Sequence, residues 1–322
     1  MCFVFISNKD ATYASVPAPH IQMKQDELNQ LEANQVYVTI PVHSNILEIT
    51  RRLVSVGVLT HPWSFLCAAF LEHKISFEPG TYIFTKDMSF TDVIDLFKKN
   101  KPYKVTIPEG LTVAEIVRHL NDLPYLSGGI FTLPPEGTLL PETYAVRYGD
   151  SRESVIKRLA AAMNVMLADL WKKSTNSKAR LQKNGITSER ELLTLASIVE
   201  KETGVKSERA HVAAVFLNRL ALNMRLQSDP TTSYAITNGK QSLGRALTKA
   251  DLAIESAINT YTSSGLPPQP ISCPGKASLI ATLSPAESDS LYFVADGTGG
   301  HRFARNLDEH NKNVSHWRKV NQ

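Results

Sequence analysis

Two glutamates, Glu200 and Glu202, close the stretch SERELLTLASIVEKETG at residues 188–204. On a helix, side chains two residues apart point nearly opposite ways, so the pair divides between two faces. Leu192, Leu195, Ile198 and Val199 fall within one arc of about 120° at the helical period. Glu202 lies near the centre of that arc, and Glu200 points to the polar side. Burial disfavours a charged carboxylate and raises its pKa. The partial negative charge of a helix C-terminus pushes the same way. A carboxyl group held protonated near neutral pH can act as a general acid. The alternative is a glutamate at a helix end that reaches solvent or pairs with a Lys or Arg.

The helix has clear ends. Ser188 with Glu191 makes a capping box, and Gly204 suits a left-handed turn-off. A second helix is predicted over about 207–222, with Val212, Val215, Phe216, Arg219 and Leu220 on one face. Arg219 either extends its head past the core or pairs with a buried carboxylate. Residues 223–236 read as a polar stretch with a turn at Asp229-Pro230, followed by a helix over 248–257. Residues 258–275 are dense in Pro, Gly, Ser and Thr, a stiffened loop. A helix at 276–283, a strand in SLYFVAD, a hairpin turn over 296–300, the strand HRFA and a terminal helix complete the chain.

Upstream, VYVTIPV alternates as a strand, Ser44 caps a helix ending at Gly57, and another helix follows Pro62. A turn at Pro79-Gly80 leads into a strand at 81–84, then a helix at 89–99 and the strand YKVTIP. This is a small α+β module of βααβ order over residues 36–107. A turn at Glu109-Gly110 and a further helix precede PPEGTLLPETYAV (134–146), where Glu136 and Glu142 sit between prolines near Tyr144, as a groove wall would. Ser151 opens a long helix, and 172–183 is its end or a loop.

With 322 residues, 43% hydrophobic, the chain can bury a core and hold about two domains. Its net charge of +4 permits an anionic polymer or membrane surface as partner. Scattered basic residues without interleaved aromatics disfavour nucleic acid. Cys2, Cys67 and Cys273 have neither zinc nor redox spacing, and His301, His310 and His316 share no ligand spacing, so no metal is expected. Walker, GxSxG and HExxH motifs do not occur. Residues 1–35 read as a tail, helical near 24–33. The run MCFVFIS is shorter than a bilayer span and lacks the basic flank of a signal peptide.

Several strings recur in order: EPGTY, LLPETY, LASIVEKET, VFLNRL with MRLQSDPT, NTYTSSGLPPQPI, LYFVAD and GGHRFARNLDEHN. From about residue 36 to the C-terminus the chain resembles the endolytic murein (peptidoglycan) lytic transglycosylase family, described as YceG-like. The resemblance implies an α+β fold, with a small lysin-motif-like βααβ module (36–107) before a larger mixed α/β catalytic domain (108–322) that needs no cofactor. It implies cleavage of nascent glycan strands between N-acetylmuramic acid and N-acetylglucosamine, leaving 1,6-anhydro ends. The second glutamate of EKE, Glu202, maps onto the family's catalytic acid. Matching motifs offer Glu136, Asn218, Gln227, Asp229, Asn259, Tyr261 and Thr262 as substrate-binding candidates. Peptidoglycan synthases are implied partners. The family's N-terminal helix implies anchorage in the inner membrane, facing the periplasm, with MCFVFIS the end of a longer apolar helix; the alternative is a soluble form. Gln269 in PPQPI and Cys273 depart from the family pattern. A non-catalytic murein-binding or division scaffold, and a hydrolase using Glu136 or Asp229 as second carboxylate, are the competing readings.

Overall fold

The computed structural model describes residues 34–41, 44–71, 77–78, 80–86, 88–99, 103–147 and 149–320. The expectations for residues 1–33 lie outside them. Strand β1 (Gln35–Ile40) turns Val38 and Ile40 inward and Tyr37 outward, as its alternation requires. It pairs antiparallel with β2 (Gly80–Thr85), Val38 opposite Tyr82. Between them run α1 (Ile46–Ser55) and α2 (Pro62–Leu71), and α3 (Phe90–Lys99) follows. The cap of α1 is Asn45 in a capping box with Glu48, one residue after the expected Ser44. Ile49, Leu53, Phe65, Tyr82, Phe84, Val93 and Phe97 form this unit's own core.

Strand β3 (Tyr103–Thr106) joins neither β1 nor β2. It pairs antiparallel with β4 (Thr143–Val146), a strand inside the proline-framed segment where none was expected. Helix α4 (Val113–Asn121) starts from a Thr112–Glu115 capping box. Helix α5 (Arg152–Lys173) follows, and α6 (Thr175–Lys183) makes the basic stretch a separate helix. Val105, Ile107, Ile116, Leu120, Leu139, Val155 and Leu159 share a second core.

The largest core gathers around α7 (Glu189–Glu202), α8 (Arg209–Ala221) and α11 (Lys276–Leu283), with Leu192, Leu195, Ile198, Val199, Val212, Phe216 and Leu279 inside. Where a turn was expected at Asp229-Pro230, α9 (Asp229–Thr237) begins; proline in the first helical turn loses no bond, because that N–H has no partner there. Helix α10 (Lys249–Leu252) stops well short of residue 257, because the Asn259 side chain takes the Leu252 and Ile254 carbonyls. Residues 258–275 contain no helix or strand. The hairpin β5 (Tyr292–Ala295) and β6 (His301–Ala304) packs against α12 (Leu307–Val320). Among the described residues, no helix is long and apolar enough to cross a membrane.

Candidate active site

Glu202 is the last residue of α7 and only 7% exposed. The Ser188–Glu191 capping box fixes the helix start, and the apolar stripe docks its face into the core, so Glu202 is carried inward with it. Ser228 Oγ donates to Glu202 Oε1 at 2.5 Å. Burial is the largest influence on this carboxyl group and pushes its pKa up to about 8. The nearby Asp229 charge adds to the rise, while the Ser228 hydrogen bond and the Arg219 charge oppose it. Arg219 is itself buried, its Nε donating to the Leu291 carbonyl at 2.6 Å and its Nη1 to that of Leu226 at 2.7 Å. Committed to these carbonyls, it tempers the acid's pKa without overcoming burial.

The start of α9, with the residue pair before it, and the loop after α10 are stapled together beside Glu202. Thr231 and Thr260 hydroxyls lie 2.9 Å apart, and Gln227 N–H donates to the Thr260 carbonyl. Gln227 has φ +50°, a left-handed backbone with its side chain exposed, immediately before Ser228. Asn259 is fully buried. Its Oδ1 accepts from Thr232 Oγ1 and the Tyr261 N–H, and its Nδ2 donates to the carbonyls of Leu252 and Ile254. Tyr261 OH donates to Asp229 Oδ1 at 2.6 Å. Burial raises the Asp229 pKa to about 6 against that bond. Thus Gln227, Asp229, Asn259 and Tyr261 belong to one cluster around Glu202, with Asn259 as scaffold. Thr262 Oγ1 bonds to the Ile254 and Asn259 carbonyls, within its own loop.

Two candidates sit elsewhere. Asn218 Nδ2 donates to the Ser288 and Ser290 carbonyls and fastens the segment before β5. Glu136 Oε1 accepts from Val113 N–H, the first residue of α4, and from Gly137 N–H; its Oε2 accepts from Tyr234 OH at 3.1 Å. Burial raises the Glu136 pKa, and those donors restrain it. The two unusual residues, Gln269 and Cys273, both land on this Glu136 cluster: Gln269 Nε2 donates to Tyr234 OH, and Cys273 is buried against Glu136.

Glu200 is not on the solvent side. Its side chain is 5% exposed, pairs with Arg209 at 3.0 Å, and accepts from Gly275 N–H. Arg209 also reaches Glu109 at 3.2 Å, and Lys201 Nζ donates to the Gly110 carbonyl. An arginine between two carboxylates therefore clasps the 109–110 turn onto the end of α7. Neither Ser228 nor this clasp was expected. Asp229-Pro230 reads as a turn, which gives Ser228 no role of its own, and the partners of Arg209 lie 9 and 100 residues away along the chain. No group of three or more His, Cys, Asp or Glu side chains suited to a metal occurs among the described residues. The arrangement can deliver one proton from a buried carboxyl group and take one back.

Residues 38–316 match the model of the YceG-like family. The chain is 31% identical to an endolytic murein transglycosylase of Bacillus subtilis (strain 168), covering 86% of this chain and 83% of that protein. It is also 31% identical to an endolytic murein transglycosylase of Streptococcus pneumoniae serotype 2, over 90% of this chain and 60% of that one, so it spans less than two thirds of the pneumococcal relative. A crystal structure of a yceG-like protein from Listeria monocytogenes superposes with a TM-score of 0.54 at 30% identity, covering 86% of this chain and 98% of that one.

Proposed function

The chain belongs to the YceG-like family, and from that premise we propose that it is an endolytic lytic transglycosylase of peptidoglycan. The observation that carries the proposal is Glu202, a buried carboxyl group at the end of an apolar stripe, its pKa pushed up to about 8 by burial and one oxygen held by the Ser228 hydroxyl. An ordinary glycosidase uses two carboxylates and a water. A lytic transglycosylase uses no water. Glu202 protonates the oxygen linking N-acetylmuramic acid C1 to N-acetylglucosamine, and the C1–O bond breaks. The muramic acid C6 hydroxyl then attacks C1 and returns its proton to Glu202. The product is a 1,6-anhydro end and the acid is restored. Attack from within the same sugar supplies the proximity advantage, so one carboxyl group suffices in kind.

The βααβ unit with its own core, closed by the β1–β2 pair and extended by α3, is then a lysin-motif-like glycan-holding module. The chain from β3 onward, a strand that pairs with β4 rather than with that unit, is the catalytic domain. Gln227, Asp229 and Tyr261 face the sugars, and Glu136, Asn218, Asn259 and Thr262 shape the walls. The substrate is the nascent glycan strand, its source peptidoglycan synthases, and its location the cell envelope at the outer face of the inner membrane.

One specific observation favours a second reading. Asp229 lies close enough to Glu202 to raise its pKa, and a hydrolase would use such a neighbour to activate water. Incubating the protein and its Glu202→Gln variant with uncrosslinked glycan strands, then weighing the new ends by mass spectrometry, separates the two. Anhydro ends that vanish in the variant support the transglycosylase. Reducing ends, heavier by one water, indicate hydrolysis. No cleavage by the unaltered protein indicates a non-catalytic scaffold.

A further inference from the structure

Ser228 occupies the N-cap position of α9 and caps nothing. A serine there normally accepts from the second or third N–H of the helix; this hydroxyl donates to Glu202 Oε1. The rest of the residue is held from both sides. Its N–H donates to Thr260 Oγ1 at 2.9 Å, and its carbonyl accepts from Thr231 Oγ1 at 2.6 Å. Ser228, Thr231 and Thr260 are each at most 1% exposed. The hydroxyl thus has a fixed origin and a fixed target.

We propose that Ser228 is a positioning residue for the proton transfer: it keeps Oε1 of Glu202 an acceptor throughout, so that Oε2 alone carries the proton to the glycosidic oxygen and receives it back from the C6 hydroxyl. This rests on the transglycosylase reading. A carboxyl group with two equivalent oxygens could place its proton on either, and only one can face the scissile bond. The same hydrogen bond strengthens as Glu202 becomes a carboxylate, which helps the acid release its proton. The charges that face Glu202 are Asp229 on α9 and Arg219 on α8, and both stay in place when Ser228 is changed.

The test is the pH profile of strand cleavage by the full chain for the unaltered protein, Ser228→Ala and Ser228→Thr, across about pH 5 to 10. Ser228→Ala is expected to lower kcat about 10- to 100-fold, the effect of losing one charge-assisted hydrogen bond, with KM within about twofold. Because a donor to the carboxylate is lost, the alkaline limb of kcat/KM moves up by about one pH unit. Ser228→Thr, which keeps the hydroxyl, restores the original limb. A loss of rate with an unmoved limb, or no loss, overturns the inference. If Ser228→Ala does not fold by circular dichroism, Ser228→Cys, with a weaker donor of similar size, is expected to show the same displacement in smaller degree, and an unmoved limb there is equally fatal. Should the unaltered protein make no anhydro ends, the transglycosylase reading itself falls; anhydro ends with a common limb in every variant remove only the role of Ser228.

Discussion

Replacing Glu202 by glutamine is expected to make the protein more stable, and increasingly so as the pH rises. The amide keeps an oxygen for Ser228 to donate to and removes the charge that burial opposes. On folding, the Glu202 pKa moves from 4.5 to about 8. An acid with a raised folded pKa contributes stability that is complete below its unfolded pKa and is lost as the pH climbs through the folded one. Below pH 4.5 both states hold the proton; between 4.5 and about 8 only the folded state does; above 8 neither does. At about 1.36 kcal/mol per unit, the full window corresponds to about 5 kcal/mol. Relaxation and water entry around the new charge recover part of it, so a difference of about 2–4 kcal/mol is expected at pH 9. Urea unfolding of both proteins at a series of pH values measures it, and the difference reports Glu202 with its coupling to Asp229, because the remaining titrations are shared. A variant equal to the unaltered protein near pH 4 and ahead of it at pH 9 meets the expectation. A constant difference would mean that folding does not raise the Glu202 pKa, an unaltered protein that is the more stable at pH 9 would mean an ionised Glu202 paired in the fold, and either would refute the reasoning.

Asp229→Asn removes a like charge beside Glu202, so the alkaline limb of kcat/KM should move down, by up to about one pH unit, in the same cleavage assay. Arg209→Met leaves Glu200 buried without its cation and should cost about 3–5 kcal/mol in urea unfolding, with Arg209→Met/Glu200→Gln recovering part of the loss. Asn259→Leu strands the Leu252 carbonyl, a hydroxyl and an N–H, leaves the Ile254 carbonyl with Thr262 as donor, and should cost at least about 3 kcal/mol.

Local chemistry carried much of this into the sequence. Ser188, Glu191 and the apolar period place α7 and the inward side of Glu202, because capping and amphipathicity act within a few residues. The βααβ order and the 301–304 strand were legible for the same reason. What the sequence withheld depends on partners far along the chain. Thr143–Val146 is a strand because β3 lies beside it; on its own the segment reads as proline-framed loop. Glu200 reads as solvent-facing on a wheel, which has no place for Arg209 or Gly275 arriving from elsewhere. Ser228 illustrates the limit most plainly: Asp229-Pro230 reads locally as a turn, and only tertiary packing starts a helix there and brings the Ser228 hydroxyl to Glu202.

The separations along the chain between bonded groups at the site have a consequence for how it forms. Glu202 and Ser228 are 26 residues apart, Thr231 and Thr260 are 29, and Asp229 and Tyr261 are 32. The outer fastenings span far more, 98 residues from Glu136 to Tyr234 and 100 from Glu109 to Arg209. Short loops close at lower entropic cost and sooner than long ones. The hydrogen bonds directly around the acid are therefore expected to form ahead of the turn at residue 109 and the loop at 136, which would close over them later. Changes at Glu109 or Glu136 should accordingly speed unfolding more than they slow folding, whereas changes at Thr231 or Thr260 should slow folding itself.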